Sequence, residues 1–553
     1  MNKRKLLLLF FLFCYAAIII KLFSIQIINS ESVKTDNYLQ TEMILSERGK
    51  IYDRNRNPLV LNQNSYHLYI EPKKIKDKYE VIKKLDEVLK VGEATIEARF
   101  DDTKYWVSIL SGIEEKEKDK ISKLNLKGVG FNYGMKRYYP EASLAAHLVG
   151  FVGKNEKAED VGYFGLEGFY DKELKGIPGL LESERDLLGR PILIGTQEKI
   201  DPENGRDLIL TIDKTIQDIS KQSLLNALKH YKAKQGCIIT ADPYTMQILG
   251  LVCLPDFDLE KYYEFSESYF KNPAVSDLYE PGSIFKPIIV SYGILKKLIK
   301  PNDIFDEEGP IRIGEYYIRT WNDKYQGKIT VSGILEKSSN VGMVQIGQQM
   351  GNKAVFNAIS DFGFGNLTNI DVQGEVPGNL KPIENWYPID FATVTFGQGI
   401  AVTPIQMLRS FAAIINGGNL LKPYIVLKMD SGDREIEIKP KIIRKVLNNK
   451  TSEIMKKMLH STVEQGEFQW VKPKGYKMGG KTGTAQIPIE GHYDASKTIA
   501  SFIGFAPLDK PKFITLVVLR EPESSPWASE TAAPLFFEVA KEFLIYYNVA
   551  PEE

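Results

Sequence analysis

The most reactive arrangement this chain offers is a serine three residues ahead of a lysine, in Tyr279-Glu280-Pro281-Gly282-Ser283-Ile284-Phe285-Lys286. Pro281-Gly282 breaks the preceding segment, so a helix is predicted to open near Ser283, and the i, i+3 spacing returns Lys286 to the same face. A lysine in a poorly solvated cleft near other cations gives up its proton and can take one from a serine hydroxyl. The free N–H groups and positive dipole end of a helix start would favour an oxyanion beside Ser283. Nucleophile, base and anion stabiliser are the parts of a serine acyl transfer. Alone the pattern is weak: Ser283 reads equally well as an N-cap, and Ser268-Tyr-Phe-Lys271 also matches, without the Pro-Gly break.

Ser338-Ser339-Asn340 stands 55 residues after Ser283, just before a helical periodicity that puts Met343, Ile346, Gly347 and Met350 on one face. A hydroxyl and an amide can face a cleft there, although the triplet alone reads as helix capping. Lys481-Thr482-Gly483-Thr484 follows on a predicted strand, where the missing side chain of Gly483 lets a substrate backbone approach. Lys481 also belongs to a competing pattern, because Gly475, four residues, then Gly480-Lys481-Thr482 spell a phosphate-cradling loop. That loop needs a helix opening at the Lys-Thr. Gly483 to Pro488 cannot open one, and the strand at 513–519 runs into Arg520-Glu521-Pro522 without a magnesium-binding Asp. Asp361-Phe362-Gly363 is a similar decoy for a kinase magnesium motif, lacks H-R-D, and is read as a turn.

Elements must bring these groups together across a long chain. At 553 residues two or more domains are expected, and 43% hydrophobic with 26% charged residues is ordinary for a folded protein. Lys plus Arg equals Asp plus Glu, 71 against 71, so no global field recruits nucleic acid. Leu6 to Ile28 is an apolar run interrupted by Lys21, long enough to cross a bilayer, behind Lys3, Arg4 and Lys5. The positive-inside rule keeps those charges cytoplasmic and sends the rest of the chain outside, and we read an uncleaved anchor, not a signal peptide. The five His are scattered without ligand spacing, so no metal site is expected. Cys237 and Cys253 fall on facing strands of a predicted hairpin, where a disulfide is geometrically possible; two buried free thiols are the reading preferred.

Residues 29–205 are mixed and hard to parse, with a solvated helix face at 114–123. A strand at 206–213, a helix, and a hairpin from 236 to 254 come next, then a mainly helical segment from about 255 to 470. Strands resume at KMGGKTGTAQI, 499–506 and 513–519, and a last helix opens with Pro534 at its first position, turning Phe536, Val539, Phe543 and Tyr547 inward.

With EPGSIFKP, SSN and KTGT in this order and spacing, the chain resembles the class B penicillin-binding proteins, monofunctional D,D-transpeptidases of cell-wall synthesis. FGFGNLTNIDVQGE, FGQGIAVTPIQM and SFIGFAP look like accompanying segments, and 48–60, 137–153 and 165–176 resemble motifs of the family's pedestal. The resemblance implies an α+β fold: a penicillin-binding/β-lactamase-like transpeptidase domain, an antiparallel sheet flanked by helices plus a helical subdomain. This would occupy 206–548, after a cytoplasmic tail (1–5), a transmembrane anchor (6–28) and an elongated mixed α/β pedestal or dimerisation-like domain (29–205). Catalytic roles would fall to Ser283, Lys286, Ser338 and Lys481, and substrate binding to Asn340, Thr482, Gly483 and Thr484, with the Ser283 and Thr484 N–H groups holding the oxyanion.

No cofactor is implied. The implied partners are stem peptides ending in D-Ala-D-Ala, an amine acceptor, β-lactams as covalent inhibitors, a polytopic membrane glycosyltransferase and other division proteins, with no nucleic acid. The chain has no recognisable E-D-x-x-F polymerase motif. AVSDLYEPGS resembles the septal branch more than the elongation branch; elongation, sporulation, D,D-carboxypeptidase and β-lactam sensor or scaffold roles stand as alternatives, and the pedestal argues against a β-lactamase. Arg56, Tyr244 to Gln247 and Asn369 depart from the family's usual turn residues.

Overall fold

The structure, a computed structural model, describes residues 3–28, 39–156, 159–184, 197–466, 468–489 and 492–552. Five strands, β1 (Gln235–Ala241), β2 (Ile248–Leu254), β3 (Gly479–Ile489), β4 (His492–Ala506) and β5 (Phe513–Arg520), pair antiparallel in the order β2-β1-β5-β4-β3. The helices that concern the site are α1 (Lys214–Tyr231), α2 (Lys286–Leu295), α3 (Asn340–Met350), α4 (Asn449–Gln465) and α5 (Ala532–Tyr546). Side chains alternate across the sheet with period two. Ile238, Val252, Phe502, Val517 and Leu519 join the core beneath α1 and α5, whereas Ile239, Leu251, Ile503, Ile514 and Leu516 enter the larger core that also contains Ile288 and Ile289 of α2. Burial on both faces fixes the register, because a one-residue slip would exchange the two sets.

The chain ends of these elements follow local chemistry. Asp213 caps α1 by accepting from the N–H groups of Thr215 and Ile216, and Lys232 closes the helix in the left-handed region. Pro534 is not the first residue of the last helix: α5 begins at Ala532, so the proline is its third residue, still among the N–H groups that have no intrahelical acceptor. The inward Phe536, Val539 and Phe543 are fully buried.

Three further expectations change. Cys237 and Cys253 form a disulfide, with Cα atoms 4.1 Å apart. They stand directly opposite in the β1–β2 register, close enough to bond without backbone movement, and burial alone did not distinguish thiols from a bridge. The 255–470 segment is not helical throughout: Ile304–Glu307 pairs with Gly327–Thr330, and Ile311–Ile313 with Tyr316–Ile318. These ribbons are too short to give an alternating signal. The strand expected at 206–213 is Asp207–Leu210, and it lies outside the five-stranded sheet; it pairs parallel with Ile51–Tyr52 and antiparallel with Val426–Asp430.

Contacts divide the chain into two units: Met1–Arg48 with Lys175–Gly205, and Gly49–Leu174 with Arg206–Glu553. In the first, an apolar helix, Lys3–Phe23, has the length and composition to cross a membrane, and a three-stranded sheet joins Leu39–Ile44, Gly179–Glu184 and Gln197–Ile200. In the second, the sheet containing Asp207–Leu210 extends through Ile51–Tyr52 and Pro58–Ile70 to Val107–Ile113 and Val129–Tyr138, so strands from both of its sequence segments share one sheet. One residue in each of the unusual turns has a left-handed backbone: Arg56 at φ 63°, Met246 at φ 57° and Asn369 at φ 60°. Met246 meets that cost while fully buried in the core.

Candidate active site

The nucleophile turn is built before the helix it introduces. Gly282–Phe285 is a 3-10 turn and α2 starts at Lys286 with Pro287 next, where a missing N–H costs nothing. Gly282 has φ 57° and its N–H donates to Gly397 O at 2.9 Å, while Glu280 accepts from Gly399 N at 2.9 Å. The FGQG segment thus clasps the turn from outside. Gly397 tolerates no side chain, since a Cβ there would lie 2.2 Å from Gly282 O.

Lys286 is fully buried, and its Nζ donates to Ser338 O at 2.5 Å, Asn340 Oδ1 at 2.9 Å and Ser338 Oγ at 3.3 Å. From the opposite side Lys481 Nζ reaches the same Ser338 Oγ at 2.9 Å, with Thr482 Oγ1 at 3.3 Å. Ser338 is placed within reach of both lysine amines by a left-handed backbone, φ 55°, which ends the Val331–Glu336 helix and turns the chain into α3. Ser339 then caps α3 by accepting from Gly342 N at 2.9 Å, and Asn340 is its first residue. Burial pushes the Lys286 pKa well below the ordinary lysine value, and the charge of Lys481 pushes the same way; Glu307 opposes both. A neutral amine next to a hydroxyl network is the state a base requires.

β3 is the sheet edge beside the turn. Gly483 lies where a Cβ would be 2.8 Å from Pro281 O and 2.7 Å from Ser501 Oγ, so only glycine lets the strand and the nucleophile turn approach. Thr484 Oγ1 accepts from Ala528 N at 3.1 Å, tying β3 to the loop after β5. The Gly480-Lys481-Thr482 stretch continues as strand, so the helix a phosphate loop requires does not form. Ser268, in the rival Ser-x-x-Lys, sits in an exposed three-residue turn and contacts Ser266 at 2.8 Å. Asp361 ends a helix and accepts from Tyr292 OH at 3.1 Å, with Gly363 at φ 85° making the expected turn.

An open cleft is lined by Ser283, Ser338, Asn340, Thr482, Thr484 and Trp321, among others. Lys286 and Lys481 are buried and do not line it, and they reach it through Ser338, which does. Sequence reasoning missed Trp321 and Trp527, which both line the cleft and pack edge to face with ring centroids 4.9 Å apart. Trp321 stands between the Tyr316–Ile318 and Gly327–Thr330 strands and Trp527 between β5 and α5, away from all three motifs, so no spacing pointed to them. Glu307 was also missed, because a single acid in an acidic loop carries no spacing. Among the described residues no cluster of His, Cys, Asp and Glu could hold a metal ion.

Comparison with known proteins matches residues 236–541 to the penicillin binding protein transpeptidase domain and 43–210 to the penicillin-binding protein dimerisation domain. Stage V sporulation protein D of Bacillus subtilis is 32% identical over 94% of this chain and 82% of its own length. Peptidoglycan D,D-transpeptidase FtsI of Escherichia coli K12 is 28% identical over 93% of this chain and 86% of its own. A solved peptidoglycan synthetase from Bifidobacterium adolescentis superposes with a TM-score of 0.75 at 26% identity, covering 93% of this chain and 98% of that one.

Proposed function

This chain belongs to the penicillin-binding transpeptidases that carry an N-terminal dimerisation domain, and from that premise we propose that it is a membrane-anchored peptidoglycan D,D-transpeptidase working through an acyl-enzyme on Ser283. One observation carries the assignment of residues: the three motifs, far apart in sequence, meet in a single hydrogen-bonded network in which Lys286, held toward its neutral form, shares Ser338 with Lys481 beside the cleft that Ser283 lines.

Ser283 Oγ attacks the penultimate D-Ala carbonyl of a stem peptide while Lys286 Nζ takes its proton. Backbone N–H groups of Ser283 and Thr484 receive the oxyanion, and Thr482 and Thr484 bind the terminal carboxylate. As the tetrahedral intermediate collapses, the bond to the terminal D-Ala breaks and the leaving nitrogen gains a proton through Ser338 Oγ, backed by Lys481 at 2.9 Å. Asn340 orients the donor amide. An amine of a second stem then attacks the ester, returning Ser283 to its hydroxyl form and leaving a cross-link. β-Lactams acylate Ser283 in place of D-Ala-D-Ala.

Septal synthesis is the role favoured, after the FtsI relatives, with the N-terminus cytoplasmic, the catalytic unit outside, and a polytopic glycosyltransferase as partner. A sporulation role is the second reading, because the Bacillus subtilis sporulation relative matches at 32% identity. Purified protein supplied with lipid-linked precursor and a glycan polymerase should yield cross-linked muropeptides by mass spectrometry. Free D-Ala released without cross-links would make it a carboxypeptidase instead.

A further inference from the structure

We propose that Glu307 is a positioning residue for this acyl transfer: its buried carboxylate pins the Ser338-Ser339-Asn340 turn and balances the charge of the two lysines around the nucleophile. The proposal rests on the function assigned above.

Glu307 ends the Ile304–Glu307 strand, is 1% exposed, and pairs with Gly327 of the returning strand. Its Oε1 accepts from Ser339 Oγ and its Oε2 from Gln326 N at 3.2 Å. Ser339 is the residue that caps α3, so the carboxylate grips the first turn of the helix through its cap. Next to it, Asp306 O accepts from Gln345 Nε2 at 2.6 Å, lacing strand to helix at a second point. On the other side of the same turn, Ser338 O and Asn340 Oδ1 receive Lys286. A single three-residue turn therefore joins the acid to the base.

Both carboxylate oxygens take neutral donors, which leaves the negative charge to act through space in a poorly solvated interior. Two charged groups face Lys286: Lys481 from β3 and Glu307 from the strand before α3. Of the titratable groups on the other helices packed against α2, Glu336 is engaged with Ser461, Arg409 with Gly363 O, Lys456 with Glu453 and Asp509 O, Glu464 with Lys472, and His460 with Met478 O, while Asp361 accepts from Tyr292 of α2 itself. Lys353, Lys450 and Lys457 are exposed. When Ser283 gives its proton to Lys286 the site gains a buried ammonium beside Lys481, and a fixed carboxylate favours that state. Without it Lys286 is a weaker base.

The test is the pH dependence of acylation by a fluorescent penicillin, measured on the full chain for wild type, Glu307→Gln and Ser339→Ala. Glu307→Gln keeps an acceptor for Ser339 but loses the charge; its acid limb should move to lower pH and its plateau rate fall roughly tenfold, as for a weakened general base. Ser339→Ala loses the cap but keeps the charge, so its limb should stay at the wild-type pH even where the rate drops. An unmoved limb in a folded Glu307→Gln, or identical profiles for the two variants, would overturn the proposal. If Glu307→Gln does not fold, Glu307→Asp decides: the retained charge must hold the limb in place, and a displaced limb counts against it. Failure of wild type to form any adduct would instead strike the assigned function.

Discussion

Lys286 and Lys481 are two amines sharing one hydroxyl, and their proximity has a direction that can be measured. Burial first, and Lys481 second, hold the Lys286 pKa down, so its neutral form persists well below the pH at which an exposed lysine is deprotonated. The sign for folding follows: an unfolded lysine binds a proton that the buried one refuses, so this group's contribution to stability declines as pH falls. Replacing Lys481 by Ala removes the repulsion, raises the Lys286 pKa, and should shift the acid limb of penicillin acylation to higher pH, opposite to Glu307→Gln. A limb moving down would show that Lys481 does not act on Lys286 as a neighbouring charge. Ser283, Lys286, Ser338 and Lys481 were legible in the sequence because a proline-glycine break, a cap triplet and a glycine on a strand each leave a local mark. Glu307, Trp321 and Trp527 were not, since what makes them matter is what folds over them.

The sheet was legible as elements and poorly so as pairings. Runs such as FITLVVL declare a strand buried on both faces, but whether Asp207–Leu210 adds to that sheet or to another depends on contacts more than 200 residues away, at Val426–Asp430. The β1–β2 hairpin was readable, and its disulfide was not, because two opposed cysteines look the same from sequence whether reduced or oxidised. Protein treated with a thiol-specific label under denaturing conditions should take up one label, at Cys14, before reduction and three after. Three labels without reduction would contradict the bridge. Reduction should cost about 3 kcal/mol of stability by loop entropy, seen as a lower Tm.

For the molecule as a whole, the apolar Lys3–Phe23 helix is the part whose chemistry is least ambiguous and whose side chains are exposed from Leu6 to Phe23, save for half-buried Cys14. About 20 such residues are what a bilayer demands. A chain beginning at residue 39 should leave the membrane fraction and still form a penicillin adduct, whereas the full chain should sediment with membranes; a truncated chain that still sediments would show that other surfaces hold it there. Partner identity left no comparable mark, because neutral overall charge and a mixed surface recruit nothing in particular.

The most direct measurement is mass spectrometry of the peptide acylated by penicillin. A long-lived adduct on the fragment containing Ser283, absent from Ser283→Ala, is the predicted result. An adduct on Ser268 or elsewhere, or rapid penicillin hydrolysis with no adduct at all, would contradict an acyl-enzyme at Ser283.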